Sequence, residues 1–208
     1  AALQAIKNIE DMHPDRKLDV KRTVEETGRN AGIVVPHLLR EQQDRTLVLL
    51  LLDNGGNSMW VHAQKVQTLF EKIKRRFPQD LKNYYFHNAI YDQVYEDEAR
   101  QKPVSLRKVM ENSPDYRVFI VGDAYMGPHE LLAPFGSIEF REESSTPSLE
   151  NLKTLHEHFP FVVWINPTPK QYWNRTIAPY VQQVFHMEPL TINGILDAAK
   201  YMNGIKHF

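Results

Sequence analysis

The spacing of hydrophobic positions changes several times along this chain, and each change marks an element. The strongest signal is the unbroken run Leu47-Val48-Leu49-Leu50-Leu51-Leu52, closed by Asp53 and the turn Asn54-Gly55-Gly56. A continuous apolar run of this length reads as a buried parallel strand. From Ser58 to Arg76 the pattern becomes helical, with Val61, Val66, Leu69, Phe70 and Ile73 on one side, and Pro78 ends it. Asn83–Phe86 and Ile90–Tyr95 are two strands. Their short link, His87-Asn88-Ala89, requires an antiparallel hairpin. A helix follows from Ser105, its N-cap, to Glu111. Val118–Val121 is a second continuous strand and leads into Gly122-Asp123.

Residues 124–147 form a long connection with one helical turn at His129–Leu132. Thr146 reads as an N-cap and Pro147 as the first residue of a helix reaching about His158. Phe161–Ile165 is the next strand, ending in Asn166-Pro167. One or two short helices interrupted at Pro179 fill Lys170 to Val184. Val184–Met187 is a last strand, and Thr191 caps a final helix to Met202. Upstream, residues 2–11 and Leu18 to Thr27 read as helices, the second stopped by Gly28. Ile33–Leu39 is extended, with Pro36 confining it to an edge. The alternation predicts an α/β, doubly wound, mostly parallel sheet with one antiparallel edge strand. It divides the chain into an N-terminal helical appendage (1–44) and an α/β domain (45–208).

Composition narrows the function classes. The 208 residues are 42% hydrophobic, enough for one substantial core. With 25 Lys+Arg against 26 Asp+Glu, no global electrostatic footprint for nucleic acid exists. The local basic stretch Lys72, Lys74, Arg75 and Arg76 suits a solvated helix end. No cysteine is present, which excludes a disulfide scaffold, a thiolate metal site and a cysteine nucleophile. The longest apolar run is far short of the roughly 20 residues of a spanning helix. No signal-peptide pattern opens the chain. The expectation is a cytoplasmic protein that neither inserts into a membrane nor binds nucleic acid.

Parallel strands bring their carboxyl ends to one edge, so Asp53, Asp123 and Asn166 are expected to converge there, with His87 and Asn88 from the hairpin link. Two carboxylates, an amide and hydroxyls form a hard-oxygen set suited to Mg²⁺, Mn²⁺ or Ca²⁺. The bland alternative is that Asp and Asn simply stop strands by bonding to nearby backbone. His62 and His129 lie close enough in sequence to look into the edge, although surface or turn roles are the default. His156 and His158 do not share a helix face. Trp164 reads as core, and Tyr172, Trp173 and Tyr180 as packing under a Pro-containing connection or as a partner surface.

Asp53-Asn54-Gly55-Gly56-Asn57-Ser58-Met59 resembles the Asp-x-Ser-x-Ser metal-ion-dependent adhesion motif of von Willebrand factor A domains. There the motif closes the first core strand and opens the first long helix. Phe86-His87-Asn88 with its following edge strand resembles that family's second and third strands. Ile120-Val121-Gly122-Asp123 resembles the strand carrying its later metal-shell Asp. The resemblance spans about residues 45–203. Leu18 to Gly32 is similar to the arginine-containing segment before this domain in bacterial CoxE-like proteins, which are associated with MoxR-type AAA+ ATPases.

The resemblance implies a metal site of Asp53, Asn57, Ser58 and Asp123, a Mg²⁺-like ion, and protein–protein recognition at the carboxyl edge, with a MoxR-type ATPase as candidate partner. The motif is degenerate. Met59 stands one residue later than in the family, Gly55 occupies the first Ser position, and Lys102-Pro103-Val104-Ser105 stands where the family's Thr loop would be. Two other readings stay open: a metal-dependent hydrolase or phosphotransferase using Asp53, and a structural adaptor that binds no ion. The Gly-x-Ser-x-Gly elbow, the His-Glu-x-x-His motif and the P-loop are all absent from the sequence.

Overall fold

The apolar run forms the central strand β3 (Val48–Asp53), and all six of its residues are buried. In this computed structural model, which describes residues 16–30, 33–40, 46–76, 81–139, 142 and 144–204, β3 pairs in parallel on both sides. Its partners are β4 (Leu81–Phe86) and β7 (Arg117–Val121). Beyond β7 lie β8 (Val162–Asn166) and β9 (His186–Pro189), both parallel. Beyond β4 lie β5 (Gln93–Tyr95) and β6 (Pro103–Ser105), both antiparallel. The seven-stranded order is β6-β5-β4-β3-β7-β8-β9. The antiparallel edge is therefore two strands wide. β6 was not expected, because a three-residue strand opening on Pro103 has no alternation to read and a proline is tolerated only at such an edge.

The chain leaves β3 in one direction to build β4, β5 and β6, then returns to lay β7, β8 and β9 on the other side. The β3/β7 boundary is thus the switch point of an open, Rossmann-like α/β sheet, where a crevice opens at the carboxyl ends of the strands.

The period-two alternation of β3 sends its residues into two cores. Leu49 and Leu51 pack with Phe86, Val118, Ile120 and Trp164, and on that face lie Leu106 and Val109 of α4 (Leu106–Val109) and Leu152 and Leu155 of α6 (Ser148–His158). Val48, Leu50 and Leu52 face the other way, against Met59 of α2 (Gly56–Trp60), Val66 and Leu69 of α3 (Ala63–Arg76), and Ala198 and Met202 of α8 (Ile192–Gly204). Burial on both faces explains the lack of polar alternation in β3.

Helix boundaries differ from the sequence expectation in instructive places. The single helix expected over Ser58–Arg76 is two, α2 and α3, separated by a turn at Val61-His62. The backbone N–H of His62 bonds to the Met59 carbonyl, and those of Lys65 and Val66 both bond to the His62 carbonyl, so the second helix restarts there. Pro147, not Thr146, is the N-cap of α6. Thr146 instead donates its N–H to Ser144 Oγ at 3.0 Å, a local turn that competes with capping. Ser105 and Thr191 do cap: their hydroxyls accept from Lys108 N at 3.3 Å and Gly194 N at 3.0 Å. α5 (Pro128–Leu132) sits where one helical turn was expected. Pro179 lies at the start of α7 (Ala178–Val181), after a 3₁₀ helix at Lys170–Arg175, and the last strand begins two residues later than expected.

The chain divides into two compact units, 1–45 and 46–208. The described part of the first contains β1 (Arg16–Leu18) paired antiparallel with β2 (Leu38–Arg40), and α1 (Val20–Arg29) between them. Asp19 caps α1 by accepting from Arg22 N at 3.0 Å, so the helix starts and ends two residues later than the hydrophobic pattern suggested. The helix expected at 2–11 lies outside the described residues. No described helix is long and apolar enough to cross a membrane.

Candidate functional site

Asp53 ends β3 at the switch point and is only 3% exposed. Its Oδ1 accepts two backbone hydrogen bonds, from Gly55 N at 2.9 Å and Asn88 N at 3.0 Å. These fix the carboxylate across the β3 and β4 loops. They do not offset its burial, which, with the nearby charge of Asp123, pushes its pKa up to about 8. Asp123, equally buried, stands two residues beyond β7 and accepts at Oδ1 from Tyr125 N at 3.0 Å. The residue between them, Ala124, adopts φ 52°. A non-glycine residue in the left-handed region is strained, and such strain concentrates where a loop is held for a purpose.

Two glycines beside the carboxylates leave no room for a side chain. A Cβ on Gly122 would lie 3.2 Å from Asp53 Cβ and 3.1 Å from the Trp164 ring. Trp164 is fully buried, as expected, and its indole donates to the Gly122 carbonyl at 2.7 Å. Gly55 is more constrained. A Cβ there would fall 1.8 Å from His87 Cδ2 and 2.8 Å from His87 Cα. The place where the adhesion motif carries its first serine is filled by the His87 ring. His87 in turn accepts from Gly56 N through Nε2 at 3.2 Å. Burial, then the Arg100 charge, lowers its pKa, so the neutral acceptor form is favoured.

A second ring of contacts holds the loops. Asn88, at φ 56°, donates through Nδ2 to Glu130 Oε1 at 3.2 Å. Glu130 Oε2 accepts from Gly127 N at 2.8 Å, and its carbonyl accepts from the Tyr91 hydroxyl at 3.0 Å. Sequence reasoning passed over Glu130, although a carboxylate three residues after Gly127-Pro128 is a readable helix-start signal. Glu139 stands 3.7 Å from His87 Nε2 and 3.8 Å from Arg100.

The other expected residues differ in burial and in hydrogen bonding. Asn57 is exposed and Ser58 half-buried on α2. Asn166 is fully buried at the end of β8, but both ends of its amide are committed: Nδ2 donates to the Asp123 carbonyl at 3.0 Å and Oδ1 accepts from Thr168 N at 2.8 Å. It positions the Asp123 loop, and its second N–H points to Met187 Sδ at 3.8 Å, so it has no donor to spare. His62 is half-buried, and burial lowers its pKa while the Asp123 charge acts against this. His129 is exposed on α5. His158 bonds to the Asn112 carbonyl at 2.9 Å, and His156 packs edge-on against Phe185. Trp173 is buried, while Tyr172 and Tyr180 are partly exposed.

Among the described residues no group of three or more His, Cys, Asp or Glu side chains is placed to hold a metal ion. A closed protein cage is therefore not built here. Two buried carboxylates at one edge, one of them short of positive charge, suit a hydrated Mg²⁺, which binds through one or two carboxylates and keeps several waters. No family model, no curated protein and no solved structure matches the chain.

Proposed function

We propose that the carboxyl edge of the sheet is a protein-recognition surface of the von Willebrand factor A type. Asp53 would hold a Mg²⁺-like ion directly and Asp123 would hold it through water, with Asn57 and Ser58 as the remaining donors of the motif. A carboxylate from the partner would complete the shell. The bound ion would supply the positive charge that the buried Asp53 carboxylate lacks. Two-sided winding around β3, with antiparallel strands beyond β4, supports the reading.

The observation that carries it is the pairing of Asp53 and Asp123 at the switch point, on an edge whose outgoing segments expose large apolar side chains. Trp60 and Val61 follow β3, and Tyr125, Leu132, Phe135 and Ile138 follow β7, all exposed. Apolar side chains exposed around a polar site mark an interaction surface. A MoxR-type AAA+ ATPase is the candidate partner from the resemblance of residues 18–32 and 53–59.

A second reading, a metal-free adaptor on the same edge, is favoured by one observation: the His87 ring occupies the space of the missing serine. Calorimetric titration with Mg²⁺ and Mn²⁺ separates the two. Saturable heat and a raised melting temperature in wild type, both lost in Asp53→Ala, are expected. Neither heat nor thermal shift in folded wild type leaves the adaptor reading. Co-elution with a purified MoxR-type ATPase, lost in Asp53→Ala, tests the partner.

A further inference from the structure

Beside the carboxylate pair, on the opposite face of β3, lies a pocket of about 280 Å³. Leu52 and Asp53 form part of its lining, but the alternation of the strand places Leu52 on the pocket face and Asp53 on the face of Leu51. Three aromatic residues line it: Trp60 of α2, Phe70 of α3 and Tyr85 of β4. Trp60 is 73% exposed, an unusual placement for the largest apolar side chain. Glu98 also lines the pocket, and no Lys, Arg or His does. Its charge reaches Tyr85, whose hydroxyl is pushed up in pKa by burial and then by Glu98. Asn54 ties the strand end to this turn, donating through Nδ2 to the Glu98 carbonyl at 2.6 Å. The Asn54 Oδ1 is buried with no hydrogen-bond partner.

We propose that this pocket receives an arginine side chain from a protein partner. The volume suits one long side chain and is below the usual range for a drug-sized ligand or cofactor. Lys74 Nζ already lies 5.7 Å from the Phe70 ring centroid, so the faces left for a ligand are those of Trp60 and Tyr85, which with the Glu98 carboxylate select a positive charge. The Glu98 carboxylate selects a cation that presents two N–H donors in one plane. A planar guanidinium meets both demands, stacking on the rings while its edge donates. Trp60, Tyr85 and Glu98 are not ligands of the ion proposed at Asp53, so the pocket adds a second contact to the same partner-facing edge.

The test is a titration of ¹⁵N-labelled full chain with N-acetyl-arginine methylamide and with its neutral isostere, N-acetyl-citrulline methylamide. The readout is the Trp60 indole cross-peak, identified by its loss in Trp60→Phe. Saturable shifts with the arginine compound are expected, with the citrulline compound at least about tenfold weaker. Glu98→Gln should weaken arginine binding about tenfold. Both Glu98 and Trp60 are exposed, so their variants are expected to fold, which circular dichroism checks. Equal binding of citrulline, tighter binding of the trimethyllysine counterpart, or no saturation overturns the proposal. So does a loss in Asp53→Asn without one in Glu98→Gln, because the cation would then sit on the carboxylate pair. Mg²⁺ calorimetry on Glu98→Gln should match wild type, so failure here and failure of the metal reading are distinguishable.

Discussion

Asn166 and Asp53 occupy equivalent positions, each the last residue of a central parallel strand and each buried. Asn166 donates to one loop and accepts from another, and nothing is left over. Asp53 also accepts two backbone hydrogen bonds, yet its pKa is raised to about 8 because burial and Asp123 outweigh them. The difference teaches how to read polar strand ends in such a sheet. Position alone does not mark a functional residue, because turn chemistry places polar groups there in any case. What marks it is a charge whose cost the surrounding protein has not met.

The largest expected effect tests that unmet charge. Without divalent ions, the folded chain binds the Asp53 proton more tightly than the unfolded chain does, so stability falls as pH rises from about 4 to about 8 and is level above. Asp53→Asn removes the penalty and keeps the Oδ1 acceptor. In urea denaturation it should be more stable than wild type by about 5 kcal/mol at pH 9 and nearly equal at pH 3. Mg²⁺ at pH 9 should narrow the gap by stabilising wild type alone. A gap that ignores pH would make Asp53 another Asn166.

Next in size is Gly55→Ser, which places a serine where the motif it resembles carries one. Its Cβ would collide with the His87 ring and backbone. A loss of about 2–3 kcal/mol is expected, with no gain in Mg²⁺ affinity by calorimetry. Tighter Mg²⁺ binding at unchanged stability would show that His87 yields, and the site would be a latent adhesion motif. The smallest effect belongs to the other side of the comparison. Asn166→Ala should cost about 1.5 kcal/mol, by leaving the Asp123 carbonyl and the Thr168 N–H unpaired. Thermal melts at pH 5 and pH 9 should show the same loss. A pH-dependent loss would mean that Asn166 acts through the Asp53 charge.

Local pattern accounts for much of the fold. The Leu47–Leu52 run, the short link after Phe86 and the caps at Ser105 and Thr191 were legible because strand burial, hairpin geometry and capping act over a few residues. The break at Val61-His62 was not, because the apolar spacing continues through it and only the hydrogen bonding changes register. The convergence of Asp53 and Asp123 followed from parallel topology. The fate of Gly55 did not, since the group that excludes a side chain there, His87, comes from the next strand. The pocket of Trp60, Phe70, Tyr85 and Glu98 was likewise invisible, assembled from two helices, a strand and a turn.

The pairing of β3 with β7 also sets an order of events in time. Val48 meets Arg117 and Leu52 meets Val121, with three helices and three strands of chain between them. Such distant pairings form slowly, because a long loop must close before any contact rewards it. The hairpin side of the sheet involves shorter loops and can assemble earlier. The Asp53–Asp123 edge therefore comes into being late in folding, and a nascent chain released before β7 emerges would present Asp53 with no second carboxylate beside it.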